Sequence, residues 1–316
     1  MSSIAPVWLW AVFVVFVLVA LFVDFVVLKQ QGAHAVGVKE ALVWSLAWVA
    51  LSLVFNALFW WGVHLETGSM PVANEKALEF LTGYLIEKSL SVDNIFVFLM
   101  IFNYFSVPPA FQKRVLMIGI IGAIVLRAVM ILVGGWLLSQ FHWILYVFGA
   151  FLIFTGIKMW FGTDEDGDLD DNPALKLLRR FMPVSKEYDG ERFWTHENGI
   201  KIATPLLMVV ALVAMTDVIF AVDSIPAIFA ITKDPFIVLT SNVMAVLGLR
   251  AMFFLLQAAA GRFHLLNYGL AVVLTFIGTK MLIVDFYKIP VSVSLAMVFG
   301  VLAITMIWSA KTAPNT

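Results

Sequence analysis

The chain has 316 residues, of which 62% are hydrophobic and 13% charged, and its mean hydropathy is +0.98. Soluble domains carry about 25% charged residues, so this composition excludes a soluble globular protein and predicts an all-α protein that crosses a membrane several times. The chain has no cysteine, which excludes disulfides, thiolate metal sites and thiol chemistry. The net charge of −1 gives no indication of a nucleic-acid partner.

Nine apolar segments are long enough to cross about 30 Å of hydrocarbon as helices. We predict these spans at residues 6–28, 40–63, 77–102, 115–138, 142–162, 200–231, 236–259, 264–285 and 289–309. The sixth is longer than a simple span requires, and Pro226 lacks a backbone donor, so we expect a kink or break within it. Residues 1–316 thus form a single predicted transmembrane domain.

The placement of basic residues indicates how the chain lies in the membrane. If the N-terminus is outside, the cytoplasmic connections hold 12 Lys and Arg residues and the outer connections hold 3. This bias is the one that the positive-inside rule describes. We therefore predict a multi-pass protein of a bacterial inner (plasma) membrane, with a periplasmic N-terminus and a cytoplasmic C-terminus.

One long connection, residues 163–199, carries 10 of the 21 acidic residues. Its start, residues 163–172, is rich in aspartate, but no register supplies both the glycine and the glutamate that an EF-hand loop needs. We interpret the segment as a solvated cytoplasmic linker. The alternative is a weak funnel that attracts cations.

Two polar stretches, residues 87–94 and 216–224, interrupt the third and sixth predicted spans. In each, an acid is followed six residues later by an aspartate, Asp93 or Asp223. An ionisable group inside a membrane costs at least about 2.5–3.5 kcal/mol on insertion scales, so these side chains are candidates for function. Six residues correspond to about 9 Å along a helix axis, so the two acids of one stretch cannot share an ion on a straight helix.

The polar stretches predict a site for a hard divalent cation, because oxygen ligands suit Mg²⁺, Ca²⁺ and Mn²⁺. We expect Asp93 to face Asp223, flanked by Asn94 and Ser224, with Glu87 and Asp217 in a second layer or on the path to it. Asp24, near the cytoplasmic end of the first span, is a further candidate for an entry ligand.

Residues 77–162 and 200–285 show the pattern of an internal repeat. After each polar stretch come an arginine, a tyrosine and a lysine in the same order: Arg127, Tyr146 and Lys158, then Arg250, Tyr268 and Lys280. Each unit holds three predicted spans, an odd number, so the two units enter the membrane from opposite sides. Inverted repeats are typical of secondary transporters, whose sites lie near the membrane midplane at the repeat interface.

An alternative interpretation of the acids is structural ion pairing, since buried charges are normally paired. Glu87 or Asp93 would then pair with Arg127, and Asp217 or Asp223 with Arg250. Lys88 is a candidate local counter-ion for its neighbour Glu87. If a metal ion also binds, it must displace a base or exchange for protons, which favours coupled antiport.

The two polar stretches and a third, residues 234–242 (Asp-Pro-Phe-Ile-Val-Leu-Thr-Ser-Asn), resemble motifs of the TerC family, and the similarity to its Alx-type members covers essentially the whole chain. The family is named for tellurium resistance, and Alx-type members are regarded as inner-membrane manganese exporters related to the LysE superfamily. Tellurite is an oxyanion, for which paired carboxylates make a poor site. The resemblance implies transport roles for Glu87, Asp93, Asp217 and Asp223, with Asn94 and Ser224 beside them.

Together these features predict a secondary transporter that exports Mn²⁺, and other hard divalent cations, by alternating access with proton or charge coupling. Mn²⁺ is then a substrate rather than a cofactor. The spans contain no nucleophile elbow and no HExxH motif, so we do not expect an enzyme. The alternative is a membrane metal-sensing or metal-delivery partner in a TerC-type stress-resistance complex, which would bind other proteins through residues 163–199.

Overall fold

Helices make up most of the chain in the computed structural model, which describes residues 3–31, 37–141, 143–161, 184–185, 187–197, 200–258, 265–287 and 289–312. These residues form the helices α1 (Val7–Gln31), α2 (Val38–Thr67), α3 (Met70–Tyr104), α4 (Pro109–Gln140), α5 (Ile144–Trp160), α6 (Pro205–Phe229), α7 (Pro235–Leu247), α8 (Leu249–Ala258), α9 (Leu266–Leu282) and α10 (Val291–Thr312). The strands β1 (Trp194–Glu197) and β2 (Ile200–Ala203) pair antiparallel, with Trp194 opposite Ala203.

Five helices of the described chain, α1, α2, α4, α6 and α10, are each long and apolar enough to cross a membrane, and α7 and α8 together make a sixth, bent candidate. α5 and α9 have 17 residues each and are shorter than a full span. α3 has 35 residues and is long enough to cross a membrane, but its several charged side chains make it less apolar than the five candidate helices. The predicted class, a polytopic helical protein, is confirmed, whereas the number of nine spans stays a prediction.

Two predicted spans differ from the helices that the structure contains. The segment 200–231 starts as strand β2, and only residues from Pro205 onward are helical; Pro226 lies just before the helix ends at Phe229. The segment 236–259 is interrupted at Gly248, where α7 and α8 meet at an angle of 42°. Glycine has low helix propensity, and the lack of a Cβ at Gly248 allows a close approach of other side chains.

Local sequence signals explain where several helices begin. A proline lies in the first turn of α3, α4, α6 and α7, where its missing N–H costs no helical hydrogen bond. Asp234 caps α7 by accepting a hydrogen bond from the Phe236 N–H at 2.9 Å. The same carboxylate accepts a bond from the Ile4 N–H at 2.7 Å, which ties the N-terminal segment to the start of α7.

Helices α5 and α9 pack at very short range through small residues. A Cβ added to Gly149 would lie 2.9 Å from the Gly278 carbonyl oxygen, and one added to Gly278 would lie 2.6 Å from the Gly149 carbonyl oxygen. A Cβ on Gly156 would likewise lie 2.8 Å from the Ala271 carbonyl oxygen. In the predicted repeat, Gly149 corresponds to Ala271 and Gly156 to Gly278. Reciprocal contacts of this kind are what a two-fold axis between the helices would produce, and they support the repeat, which stays a prediction.

The described part of the predicted linker packs against the helices instead of extending into solvent. The Tyr188 hydroxyl donates to the Phe105 carbonyl oxygen at 2.6 Å, and burial raises the pKa of Tyr188 to about 12, so the hydroxyl remains a donor at neutral pH. Arg114 of α4 pairs with Glu191 at 2.5 Å. The segment just before β1 therefore covers the connection between α3 and α4, and β2 leads directly into α6. The acidic start of the linker, residues 163–172, lies outside the described residues.

A bulkier residue at the contact between α5 and α9 should destabilise the protein. Gly278→Ala places a methyl group against a backbone carbonyl that cannot rotate away, and overpacking of this kind typically costs about 1–3 kcal/mol. Gly300→Ala in α10 is the matched control, because no atom lies within 4 Å of the added methyl group. Thermal unfolding in detergent should show a lower midpoint for Gly278→Ala alone. Equal midpoints for the two variants would contradict the close packing.

Candidate functional site

Four helices meet at a buried charged cluster around Arg127. The Arg127 Nε and Nη2 atoms donate to the two Asp217 carboxylate oxygens at 2.8 and 2.7 Å. Nη1 donates to Glu87 Oε1 and, at 3.3 Å, to Asn242 Oδ1. Asn242 Nδ2 in turn donates to Glu87 Oε2 at 3.0 Å. Glu87, Arg127, Asp217 and Asn242 belong to α3, α4, α6 and α7, so one guanidinium connects all four helices.

The cluster lies near the middle of the helices that carry it. Glu87 is the central residue of α3, with 17 residues on either side, and Asp217 is the central residue of α6, with 12 on either side. In α4, 18 residues precede Arg127 and 13 follow it. If these helices cross the membrane, the charges lie close to its midplane, where unpaired ions are most costly.

Burial makes the pairing in this cluster strong and mutually dependent. The side chains of Arg127 and Glu87 are 1% exposed, and that of Asp217 is 3% exposed. The guanidinium fork bonds both oxygens of Asp217, the geometry in which arginine binds carboxylates best. Two carboxylates and one guanidinium leave a formal charge of −1. The cluster is thus an oxygen-rich site whose charge is only partly balanced.

Asn242 is the member of the cluster that the sequence-based prediction of ligands missed. It lies within the stretch 234–242 that resembles the TerC motif, on a helix that is otherwise apolar and buried. Its side-chain amide makes two hydrogen bonds: the Nδ2 group donates to Glu87, and the Oδ1 atom accepts from Arg127. An asparagine in an apolar helix is the signal that could have identified it, since buried amides need partners.

The side chains of Asp93 and Asp223 lie outside the described residues, so their predicted pairing stays a prediction. Their helical neighbours Asn94 and Ser224 are each 2% exposed. The hydroxyls of Ser91 and Ser224 are buried and have no hydrogen-bond partner in the structure as described. Buried polar atoms normally find partners, so these two hydroxyls are available to a ligand.

Glu87 and Asp217 are the predicted second-layer ligands, and the structure brings them together at Arg127. Arg127 lies between the two acids, so both carboxylates already have a cation. Within the described chain, no group of three or more His, Cys, Asp or Glu side chains is arranged to hold a metal ion. A cation that binds here must therefore displace the guanidinium or recruit other oxygens.

Asp24 and Arg250 form a second ion pair, between α1 and α8. Asp24, predicted as an entry ligand, is 7% exposed. The ion-pairing interpretation placed Arg250 with Asp217 or Asp223, but Asp217 binds Arg127 instead. The first helix, which lies outside the predicted repeats, thus supplies the acid that engages the second arginine.

Lys88 does not serve as the counter-ion of Glu87. Consecutive helical residues point about 100° apart, so Lys88 faces away from the Arg127 cluster. Its Nζ atom donates to the Ala245 carbonyl oxygen at 3.2 Å, in the last turn of α7. A Cβ on Gly248 would lie 2.7 Å from this Nζ atom. Lys88 therefore binds a free carbonyl at the break between α7 and α8, where a cation is favoured by the helix dipole.

Comparison with known proteins identifies related membrane proteins. A family model described as "Integral membrane protein TerC family" matches residues 72–315. The chain is 56% identical to a protein of Escherichia coli (strain K12) named as the membrane-bound redox modulator Alx, over 98% of this chain and 96% of the other. It is 51% identical to a protein of the same name from Photorhabdus laumondii, over 97% and 96% of the two chains.

A plant protein is also similar. The chain is 43% identical to the chloroplast thylakoid membrane protein TERC of Arabidopsis thaliana, over 85% of this chain and 68% of the plant protein. No solved structure matches the chain at a significant level.

Loss of the central cation should be severely destabilising. Arg127→Met leaves Glu87 and Asp217 buried with no cation, and breaking a buried pair in this way costs about 3–5 kcal/mol. Arg192→Met is the matched control, because Arg192 is 77% exposed and its contact with Asp189 is a surface pair of 3.6 Å, expected to contribute at most about 1 kcal/mol. Thermal unfolding of the purified proteins measures the difference. Similar shifts for both variants would show that the cluster does not stabilise the fold.

Proposed function

Because the chain belongs to the TerC family of integral membrane proteins, we propose that it is a secondary transporter that exports Mn²⁺ from the cytoplasm. We further propose that it lies in a bacterial inner membrane with its N-terminus in the periplasm and its C-terminus in the cytoplasm. Other hard divalent cations are secondary substrates in this account. The family description is that of a membrane protein, and no enzymatic activity is proposed.

One observation carries the proposal: carboxylates from the two predicted repeats meet at the centre of their helices. Glu87 lies in the first repeat and Asp217 in the second, and the Arg127 guanidinium bonds both. Transporters built from inverted repeats have their sites at such an interface. Carboxylate and amide oxygens are ligands that Mn²⁺ accepts readily.

The arrangement suggests how the empty transporter can return to the state that faces the cytoplasm after it has released Mn²⁺. Arg127 is always protonated, so it cannot give up its charge to make way for a metal ion. Mn²⁺ would instead displace the guanidinium from Glu87 and Asp217. After Mn²⁺ leaves, the guanidinium would bind both carboxylates again and prevent two unpaired charges from remaining in the membrane.

The predicted ligands Asp93 and Asp223 lie about 9 Å beyond Glu87 and Asp217 along their own helices. Because the predicted repeats are inverted, α3 and α6 would run in opposite directions, so Asp93 would lie on the cytoplasmic side of the Arg127 cluster and Asp223 on its outer side. The buried, unpaired hydroxyls of Ser91 and Ser224 support ligands on these two sides, since each can contribute an oxygen. With Asn94 beside Asp93, Mn²⁺ would find oxygen ligands along its path without histidine or cysteine.

A second candidate function is a metal-sensing or metal-delivery partner of other membrane proteins. The paired strands β1 and β2 favour it, because Trp194 is 45% exposed and Lys201 lies over its ring at 4.9 Å, which leaves an aromatic surface open to a partner. The bacterial relatives are named as redox modulators. This chain has no cysteine, so a redox role would not proceed through its own thiols.

Mn²⁺ flux through the purified protein tests the proposal. In inside-out proteoliposomes, Glu87→Gln and Asp217→Asn should each reduce Mn²⁺ uptake by about tenfold or more, because an amide cannot supply the charge that binds the ion. Each amide keeps a carbonyl oxygen that accepts a bond from Arg127, so both variants should still fold. Asp93→Asn and Asp223→Asn should show the same loss.

Asp189→Asn is the matched control for flux, because Asp189 lies before β1 and its side chain is 41% exposed. It should transport at the wild-type rate. Gel-filtration profiles show whether each variant is intact. Wild-type flux in both Glu87→Gln and Asp217→Asn would contradict the site. Absence of flux through the wild-type protein alone would favour the partner function.

A further inference from the structure

Glu79 is a buried carboxylate that the proposed Mn²⁺ site does not use. It lies on α3, eight residues and about 12 Å before Glu87, and it is 4% exposed. Its Oε1 atom accepts a bond from Lys76 at 2.7 Å. Its Oε2 atom is buried and has no hydrogen-bond partner in the structure as described. An ionised carboxylate with a free buried oxygen is costly, so this atom is suited to take up a ligand.

A second buried polar group lies nearby at the same end of the helices. Lys280 of α9 is 7% exposed and donates to the Ser294 hydroxyl of α10 at 2.9 Å. Lys280 is close enough to Glu79 for their opposite charges to attract, although the two side chains form no direct salt bridge in the described structure. The connection between α6 and α7 contributes Thr232, which is 5% exposed. The predicted orientation places all of these residues toward the outer side of the membrane.

The charges around Glu79 restrict the kind of ligand that it can bind. The charged groups facing it are Lys76 and Glu75 from α3 and Lys280 from α9, whereas Thr232 and Ser294 offer hydroxyls. Two ammonium groups would repel a metal cation, and the carboxylate itself would repel an anion. A proton remains, because it can bind the free, buried Oε2 atom without adding a further ion to the site.

We propose that Glu79 is a proton-binding site of the transporter, buried toward the outer end of α3. The Oε2 lone pair accepts a proton from hydronium, which leaves water and forms the neutral acid while Lys76 keeps its bond to Oε1. Release returns the proton to water as hydronium. This inference rests on the proposed Mn²⁺ transport, because proton entry from outside would be coupled to Mn²⁺ export. Groups that exchange protons in this way are typical of coupled transporters.

Proton binding can be measured without transport. Infrared difference spectra of the purified full-length protein, recorded across a pH titration, should show a buried carboxylic-acid band that disappears in Glu79→Gln. Glu75→Gln is the matched control, because Glu75 is exposed one turn earlier on the same helix, and it should keep the band. Glu79→Asp keeps a carboxyl group and should retain a titrating band even if Glu79→Gln does not fold. An unchanged band in Glu79→Gln, or no band in Glu79→Asp, would overturn the proposal.

Transport provides the second test. In inside-out proteoliposomes, an interior one pH unit more acidic should accelerate wild-type Mn²⁺ uptake by up to about tenfold, which is the ratio of proton concentrations. Glu79→Gln should lose this acceleration, while Glu75→Gln should retain it. An acceleration that persists in Glu79→Gln would overturn the proposal. If the wild-type protein moves no Mn²⁺, the transport function fails, and the infrared titration still decides whether Glu79 binds a proton.

Discussion

The Arg127 guanidinium is the contact on which the centre of the structure depends. Two carboxylates from distant parts of the chain, Glu87 and Asp217, share this one cation in a region that is almost inaccessible to solvent. Each acid is tolerable there only because the arginine is present, and the arginine is satisfied only because both acids and Asn242 surround it. Helices α3, α4, α6 and α7 are therefore held together by electrostatics as well as by apolar packing.

The rest of the fold brings these four helices into position. The segment before β1 contacts the connection between α3 and α4, and β2 continues into α6, so this part of the chain joins three of the four helices at one end. Lys88 binds a backbone carbonyl in the last turn of α7, the helix that carries Asn242. Arg250, just beyond the break, pairs with Asp24 of α1 instead of with a repeat acid. The predicted repeats thus differ in their ion pairs: Arg127 binds an acid from each repeat, whereas Arg250 binds an acid from outside both.

Sequence reasoning identified the membrane class and the polar stretches, because apolar run length and the cost of buried charge are local properties. It did not identify which arginine binds Asp217, since that pairing joins residues 90 positions apart and depends on how the helices pack. The break at Gly248 was missed because one glycine in an apolar run does not by itself end a helix. Glu79 lies at the edge of the predicted span 77–102, and only the packing of the helices brings Lys280 of α9 and Thr232 of the α6–α7 connection near it.

The central claim is that Glu87 and Asp217 together bind the cation that Arg127 otherwise replaces. Electron paramagnetic resonance tests it directly, because free Mn²⁺ gives a signal that decreases when the ion binds to protein. The account predicts that the purified wild-type protein reduces the signal, and that the double variant Glu87→Gln, Asp217→Asn binds Mn²⁺ at least about tenfold more weakly. Equal Mn²⁺ binding by the wild-type protein and the double variant would contradict it.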